Sequence, residues 1–278
     1  MAHQHEQARV SVHGLFEFAR RNGVSVEQVL ATISAARATY KTPRRRRILC
    51  AEQGTRRTLI VVRRGVGLLN TDYGPFYQFD FAINDEWEKY SVLVMAKLDN
   101  EAMPIFRRSS LLLRIDSGCQ TGQVFGDRTC DCREQLHKAM EAIQGLGEGI
   151  IIHIPGQDGR GLGLPLKLAT LTLQDQLHLS TVDSASVLVE DGVIDRRTYT
   201  GAISILKFFR LAPQVPINLL TNNPSKIAPF TENGYTITKF VPLIIQPTEH
   251  TLRHLRAKQE HLGHINLVNL RNKEPGPR

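Results

Sequence analysis

The sequence predicts an α/β fold with an extra helical region at its N-terminus. Two observations carry that expectation. Short apolar runs alternate with amphipathic helical stretches over residues 110–240, which is how strands and covering helices alternate around one sheet. A glycine-rich exit loop, PGQDGRGLGLP (155–165), also stands between a strand pattern and a helix pattern. Open α/β sheets hold their ligands at such carboxyl ends of strands.

The elements follow in order. In residues 1–42, Leu15, Phe16 and Ala19 recur at helical spacing, as do Val26, Val29, Leu30 and Ile33. The RRNGVS between them reads as a turn, with Ser25 an N-cap. The tract KTPRRRR (41–47) reads as a basic linker. From residue 58 the period is that of strands: TLIVV (58–62), FYQFDFAI (76–83), SVLVMAKL (91–98) and SLLLRI (110–115). Leu136, Ala139, Met140 and Ile143 mark an amphipathic helix stopped by Gly145 and Gly147. GIIIHI (149–154) is a buried strand, and its loop leads into a helix at 166–176. A helix over 200–210, the strand INLL (217–220), a further helix, the strand YTITKF (235–240) and a last helix at 249–262 complete the chain. The domain reading is a helical extension and basic linker at 1–47, a β-rich region at 48–90 and a catalytic domain at 91–270.

The chain has 278 residues and 41% hydrophobic content, enough to fill a real core. No apolar run approaches the roughly 18 residues of a membrane span. The opening MAHQHEQARVSVHG lacks the apolar segment of a signal peptide, so a cytoplasmic location is expected. The formal charge of +8 suits phosphate-bearing partners, whether nucleic acid or nucleotide. The arginines at 44–47, 56, 57, 63 and 64 equally suit a solvated face.

Three of the four cysteines cluster. Ten residues separate Cys119 from Cys130, and one separates Cys130 from Cys132. Three thiolates can hold Zn²⁺ with its fourth position open for water, a catalytic arrangement. A fourth ligand, His137 or His153, would instead make the site structural, and unligated thiols are a third reading. Cys50 lies outside the motif. Gly159, Gly161 and Gly163 let backbone approach a phosphate ahead of a helix N-terminus, and Arg160 supplies a guanidinium suited to paired phosphate oxygens. Such loops are also plain turns. Asn222 and Asn223 after INLL read as ligand contacts or as turn residues. Asp195 and Arg197 read as an acid beside a phosphate-binding arginine, or as a surface ion pair.

Together, RIDSGCQTG…CDCREQL, GQDGRGLGL, LQDQ, DRR, LLTNNPSK and KxxxLGH resemble the GTP cyclohydrolase II family over residues 90–268. The resemblance implies a mixed sheet flanked by helices and a zinc hydrolase that opens the imidazole ring of GTP in riboflavin biosynthesis. It implies Mg²⁺ with the triphosphate and a homodimer. Cys119, Cys130 and Cys132 match the family's zinc ligands. Arg114 and Ser117 lie in its nucleotide-binding motif, and Gln135 matches a base contact. Asp158, Gly159 and Arg160 match the triphosphate loop, and Thr181, Thr221 and Lys226 match further nucleotide contacts. Asp195 matches the proton acceptor and Arg197 the arginine acting at the α-phosphate.

The chain departs from the family pattern at several positions. The family's His and Glu before the first cysteine become Asp116 and Gly118, and its Asp in Thr-Gly-Asp becomes Gln123. Thr129, Arg133 and Asp158 replace Arg, Gly and Glu. Leu171 stands where the family has an active-site tyrosine. The metal and phosphate residues are thus kept while those near the base change. The product is expected to be a formamidopyrimidine nucleotide or, after formate loss, the diaminopyrimidine. The alternatives are a paralogue acting on another purine or a pyrimidine, of the uracil-catabolism type, and a nucleotide-responsive regulator without turnover.

Overall fold

A computed structural model describes residues 12–84, 89–265 and 268. The helical expectation for residues 1–11 therefore lies outside the described residues, as do 266, 267, 269 and 270 at the end of the expected catalytic domain. The chain forms two compact units, one up to Pro43 and one from Arg44 onward.

The first unit holds α1 (Val12–Asn22) and α2 (Val26–Lys41). Ser25 caps α2 as expected. Its Oγ accepts from the Gln28 amide at 3.1 Å, and Gln28 Oε1 accepts from the Ser25 amide at 2.8 Å. This reciprocal capping box satisfies two backbone donors that a helix start leaves free.

The second unit is built on one eight-stranded mixed sheet. Its strands are β1 (Arg44–Glu52), β2 (Thr55–Thr71), β3 (Gly74–Ile83), β4 (Lys89–Met95), β7 (Leu111–Ser117), β8 (Gly149–Ile154), β9 (Ile217–Leu220) and β10 (Ile237–Val241), in the order β1-β2-β3-β4-β8-β7-β9-β10. β5 (Lys97–Leu98) and β6 (Pro104–Ile105) pair separately. β1 to β4 and β8 are antiparallel neighbours, whereas β8, β7, β9 and β10 run parallel. The helices are α3 (Cys132–Leu146), α4 (Leu164–Gln176), α5 (Asp183–Leu188), α6 (Thr200–Phe208), α7 (Ala228–Glu232) and α8 (Leu252–His261).

Alternation along β7 divides the core. Leu111, Leu113 and Ile115 join the large cluster under α6, while Leu112 joins the smaller one under α3 with Ile151, Leu220 and Ile143. Successive strand residues point to opposite faces, so a strand covered on both sides reads as a continuous apolar run.

The basic tract is not a linker where it was expected to be one. Arg44 to Arg47 open β1, which pairs with β2 from Arg44↔Arg63 to Glu52↔Thr55. The arginines tolerate the strand because it lies at the sheet edge. Arg45 and Arg47 are exposed, while Arg46 sits 4.9 Å over the Phe208 ring and donates to Phe208 O at 3.1 Å. A guanidinium over an aromatic face is attracted by the ring quadrupole.

Phe81 is fully buried and meets Phe208 and Phe209 edge-on, at 5.1 and 5.5 Å between centroids. Phe81→Ala should lower stability by about 3–5 kcal/mol, measured by denaturant unfolding. A loss below about 1 kcal/mol would mean that this aromatic group does not anchor α6 to the sheet.

Candidate active site

β7 ends at Ser117, and the chain turns at once into a single π-helical turn, Gln120–Val124. Cys119 stands at the head of that turn, and Cys130 and Cys132 stand at the start of α3. The three Sγ atoms lie within 4.8 Å of one another, with Cys119 and Cys130 at 3.7 Å. Thiolates on one tetrahedral zinc at about 2.3 Å lie about 3.8 Å apart, so the donor set fits that ion. Gly122 makes the grouping possible, since a Cβ there would run into Cys130 Sγ and come within 3.2 Å of Cys119 Sγ. Hydrogen bonds from Cys130 and Cys132 hold the Cys119 thiol well below its ordinary range, and Lys167 adds to the effect. Its bond to Cys119 pushes Cys130 up to about 11.

Neither histidine considered as a fourth ligand joins this group. The His137 ring packs against Tyr73, 5.5 Å between centroids, and His153 Nδ1 pairs with Asp116 Oδ2 at 2.8 Å. Among the described residues the metal-binding group is the three cysteines alone. Cys50 is fully buried in the core of the sheet.

The glycine-rich loop after β8 is bound to the loop before α6. Gly159 and Arg160 take left-handed conformations, φ 58° and 62°. Arg160 O accepts from the Arg196 amide at 2.8 Å. A Cβ on Gly161 would come within 2.8 Å of Arg196 C and 2.9 Å of Arg197 N. Only glycine permits that approach. Arg160 Nη2 donates to Thr181 O at 2.7 Å, while its buried Nε has no partner. Asp158 faces the protein rather than the cavity, its Oδ1 accepting from the Gln120 amide at 3.0 Å and from Lys167 Nζ at 3.3 Å. Lys167 Nζ also lies 2.9 Å from Cys119 Sγ.

Asp195 grips the Arg197 guanidinium through both oxygens, Nε at 2.9 Å and Nη2 closer still. Burial alone would raise the Asp195 pKa, but Arg197 more than offsets this and holds it below the ordinary range. Past β9, Thr221 is buried, and Lys226 Nζ donates to Ile115 O at 2.7 Å. Burial, reinforced by Arg114 and Arg197, depresses the Lys226 pKa strongly. Asn222 and Asn223 serve the turn: Asn222 brackets the backbone of Leu243, and Asn223 Oδ1 accepts from the Ser225 amide.

Two cavities, of about 130 and 90 Å³, receive these side chains. The larger is lined by the three cysteines, Gly159, Leu171 and Thr181. The smaller is lined by Arg114, Gln135, Thr221 and Lys226. Ser117, Cys132, Arg160, Arg197 and Lys258 border both. A cysteine cluster, three arginines and three lysines thus converge on one crevice.

Residues 65–242 match the GTP cyclohydrolase II family. The chain belongs to that family. It is 35% identical over 198 residues to GTP cyclohydrolase-2 of Picrophilus torridus, covering 71% of this chain and 95% of that protein. It is 34% identical to GTP cyclohydrolase-2 of Streptomyces coelicolor, covering 70% and 82%. Riboflavin biosynthesis protein RibBA of Bacillus subtilis is 34% identical over 209 residues, 75% of this chain but 49% of its own length. The chain thus spans about half the length of that relative.

The cavity also receives residues to which the sequence alone assigned no role, among them Lys167, His254 and Lys258. Lys167 was legible in principle, since 167, 171 and 174 fall at the i, i+4, i+7 spacing of one helix face, and all three line the cavity. Lys258 pairs with Asp131 at 3.3 Å across more than a hundred residues, which no local pattern announces. His254 is half-buried, and its desolvation lowers its pKa well below the usual value.

The thiol geometry makes a direct prediction. Cys130→Ser and Gly122→Ala should each reduce the metal carried per chain, and Cys50→Ser should not, by elemental analysis of purified protein. Full metal retention in Gly122→Ala would show that the cysteine group does not need that glycine.

Proposed function

We propose that the protein is a zinc-dependent hydrolase that opens the imidazole ring of GTP at C8 and releases pyrophosphate. One observation carries this reading: the three-thiol group opens into the same cavity as Arg160 and Arg197, so a metal-activated water and a triphosphate clamp would share one crevice. Cys119, Cys130 and Cys132 would hold the zinc. When bound, such an ion lowers the pKa of a water and supplies hydroxide near neutral pH.

The chain's other residues bind and orient. Arg114, Ser117, Gln135 and Thr221 hold the nucleoside end. Arg160, Lys226 and the loop at Gly159 hold the triphosphate with Mg²⁺, while Asp158 fixes that loop from behind and Thr181 anchors Arg160. Arg197, held by Asp195, acts at the α-phosphate as pyrophosphate leaves. The working unit is a homodimer.

Arg197→Ala should abolish pyrophosphate release with little loss of GTP affinity, because its interaction belongs to the transition state. Lys226→Ala should weaken binding instead, since its charge serves ground and transition states alike. Normal pyrophosphate release by Arg197→Ala would refute the role.

The product is a formamidopyrimidine nucleotide with its formyl group largely retained. Leu171 lines the cysteine cavity and offers no hydrogen bond to a second water. The hydroxyl protons of its neighbours are already engaged, Thr170 Oγ1 donating to Lys167 O at 2.7 Å and Thr172 Oγ1 to Leu168 O at 3.3 Å. Loss of one positioned polar group costs about 10²–10³ in rate. Formate should therefore appear well below one equivalent per GTP consumed, and Leu171→Tyr should raise that ratio. One equivalent at early times would overturn this product assignment.

A further inference from the structure

Asp116 is 1% exposed and sits on β7 two residues from Arg114, so both side chains leave the same face of the strand. Both its oxygens are taken. Oδ1 accepts from Arg114 Nε at 3.1 Å and from Arg114 Nη2 at 2.7 Å. Oδ2 accepts from Gln123 Nε2 at 2.8 Å and pairs with His153 at 2.8 Å. The other end of Gln123 accepts from the Cys119 amide at 2.9 Å. On the far side, Arg114 Nη2 reaches Gln135 Oε1 at 3.3 Å, Gln135 Nε2 donates to Asp131 at 2.6 Å, and Asp131 meets Lys258 at 3.3 Å. One polar chain therefore runs from α8, beneath the nucleoside end of the crevice, to the first cysteine.

The two partners at its centre, 116 and 123, are positions where the chain departs from the family's His and Asp. The two departures touch each other, and in this chain the carboxylate stands on the strand. There it meets a guanidinium on a strand hydrogen-bonded on both sides, by β8 and β9. A buried guanidinium needs such a partner, and one held on a rigid element is fixed before the ligand arrives.

We infer that Asp116 is a positioning residue that fixes Arg114 for the nucleotide, and that Gln123, its partner, ties that position to the cysteine loop. With Nε and Nη2 engaged, Nη1 is the guanidinium nitrogen left for the ligand. The inference rests on the GTP reading proposed above.

The test combines steady-state kinetics with calorimetric binding of a non-hydrolysable GTP analogue by the full chain. Asp116→Asn keeps the shape and removes the charge. It should raise KM roughly tenfold or more with kcat little changed, because uniform binding is what is lost. A fall in kcat at unchanged KM would indicate a merely structural role and overturn the inference. Asp116→His removes one partner of a buried charge pair and Gln123→Asp sets a second carboxylate against Asp116, so each should weaken analogue binding by about 10²-fold. The double variant Asp116→His/Gln123→Asp should recover at least roughly tenfold over either single, the signature of coupled residues. Additive losses would overturn the inference while leaving GTP binding by the unaltered protein intact. An unaltered protein that does not bind the analogue would overturn the functional reading itself.

Discussion

The site depends on one constraint, the parallel pairing of β7 between β8 and β9. Ser117 pairs with Ile154, and Leu113 pairs with both Ile150 and Leu219. Three strands running the same way must release their chains at the same edge. That edge receives the cysteine turn from β7, the glycine-rich loop from β8 and the Thr221–Lys226 segment from β9. None of these segments approaches the others in sequence. Antiparallel pairing at this place would have sent one of them to the opposite end of the sheet. The antiparallel strands β1 to β4 lie on one side of this trio and extend the sheet without supplying a loop to the crevice.

The edge brings the loops together, and close backbone contacts then hold them in register. Gly161 lets the β8 loop lie against the backbone of Arg196 and Arg197, which sets where the Arg197 guanidinium starts. Gly118 does the same beneath the cysteine turn. A Cβ there would come within 2.7 Å of Pro155 Cα and 2.8 Å of Ile154 O. In this chain the strand exits of β7 and β8 are too close for a side chain at 118. The Gly118 amide donates to Ile154 O at 2.8 Å, so the approach is itself a hydrogen bond.

Much of this was legible in the sequence, and the misses have definite causes. The parallel strands were readable because strands covered on both faces are continuous apolar runs. The cysteines and the two glycine- or asparagine-rich exits were readable because their chemistry is local. β1 was not. Four successive arginines show no alternation, although on the strand alternate residues point to opposite sides and only Arg46 is drawn onto an aromatic ring. The choice of His137 and His153 as possible ligands also failed for a spatial reason. Each finds a nearer partner, Tyr73 or Asp116, on a neighbouring strand or its connecting turn. Lys258 was visible as a letter in a motif, but its ion pair with Asp131 closes over a distance in sequence that no periodicity spans.

The charges of the crevice are unequal in a way that bears on its ligand. Asp116 and Asp195 each engage one arginine, and Asp131 engages Lys258. Among the described residues no carboxylate meets the Lys226 ammonium. It donates to a backbone carbonyl and lies 5.4 Å from the Tyr199 ring, while Arg114 and Arg197 both act to depress its pKa. Arg160 is likewise held by a backbone oxygen, with Arg197 as a second cation acting on it. Cations placed together with only backbone and aromatic partners repel one another in a poorly solvated site, where Coulomb terms are strongest. A polyanion relieves that repulsion and satisfies the buried Nε of Arg160 at the same time. The two cations lacking a carboxylate stand on the loops from β8 and β9, and Arg197, already neutralised by Asp195, acts on both. An extended polyanion would meet its strongest attraction at Arg160 and Lys226.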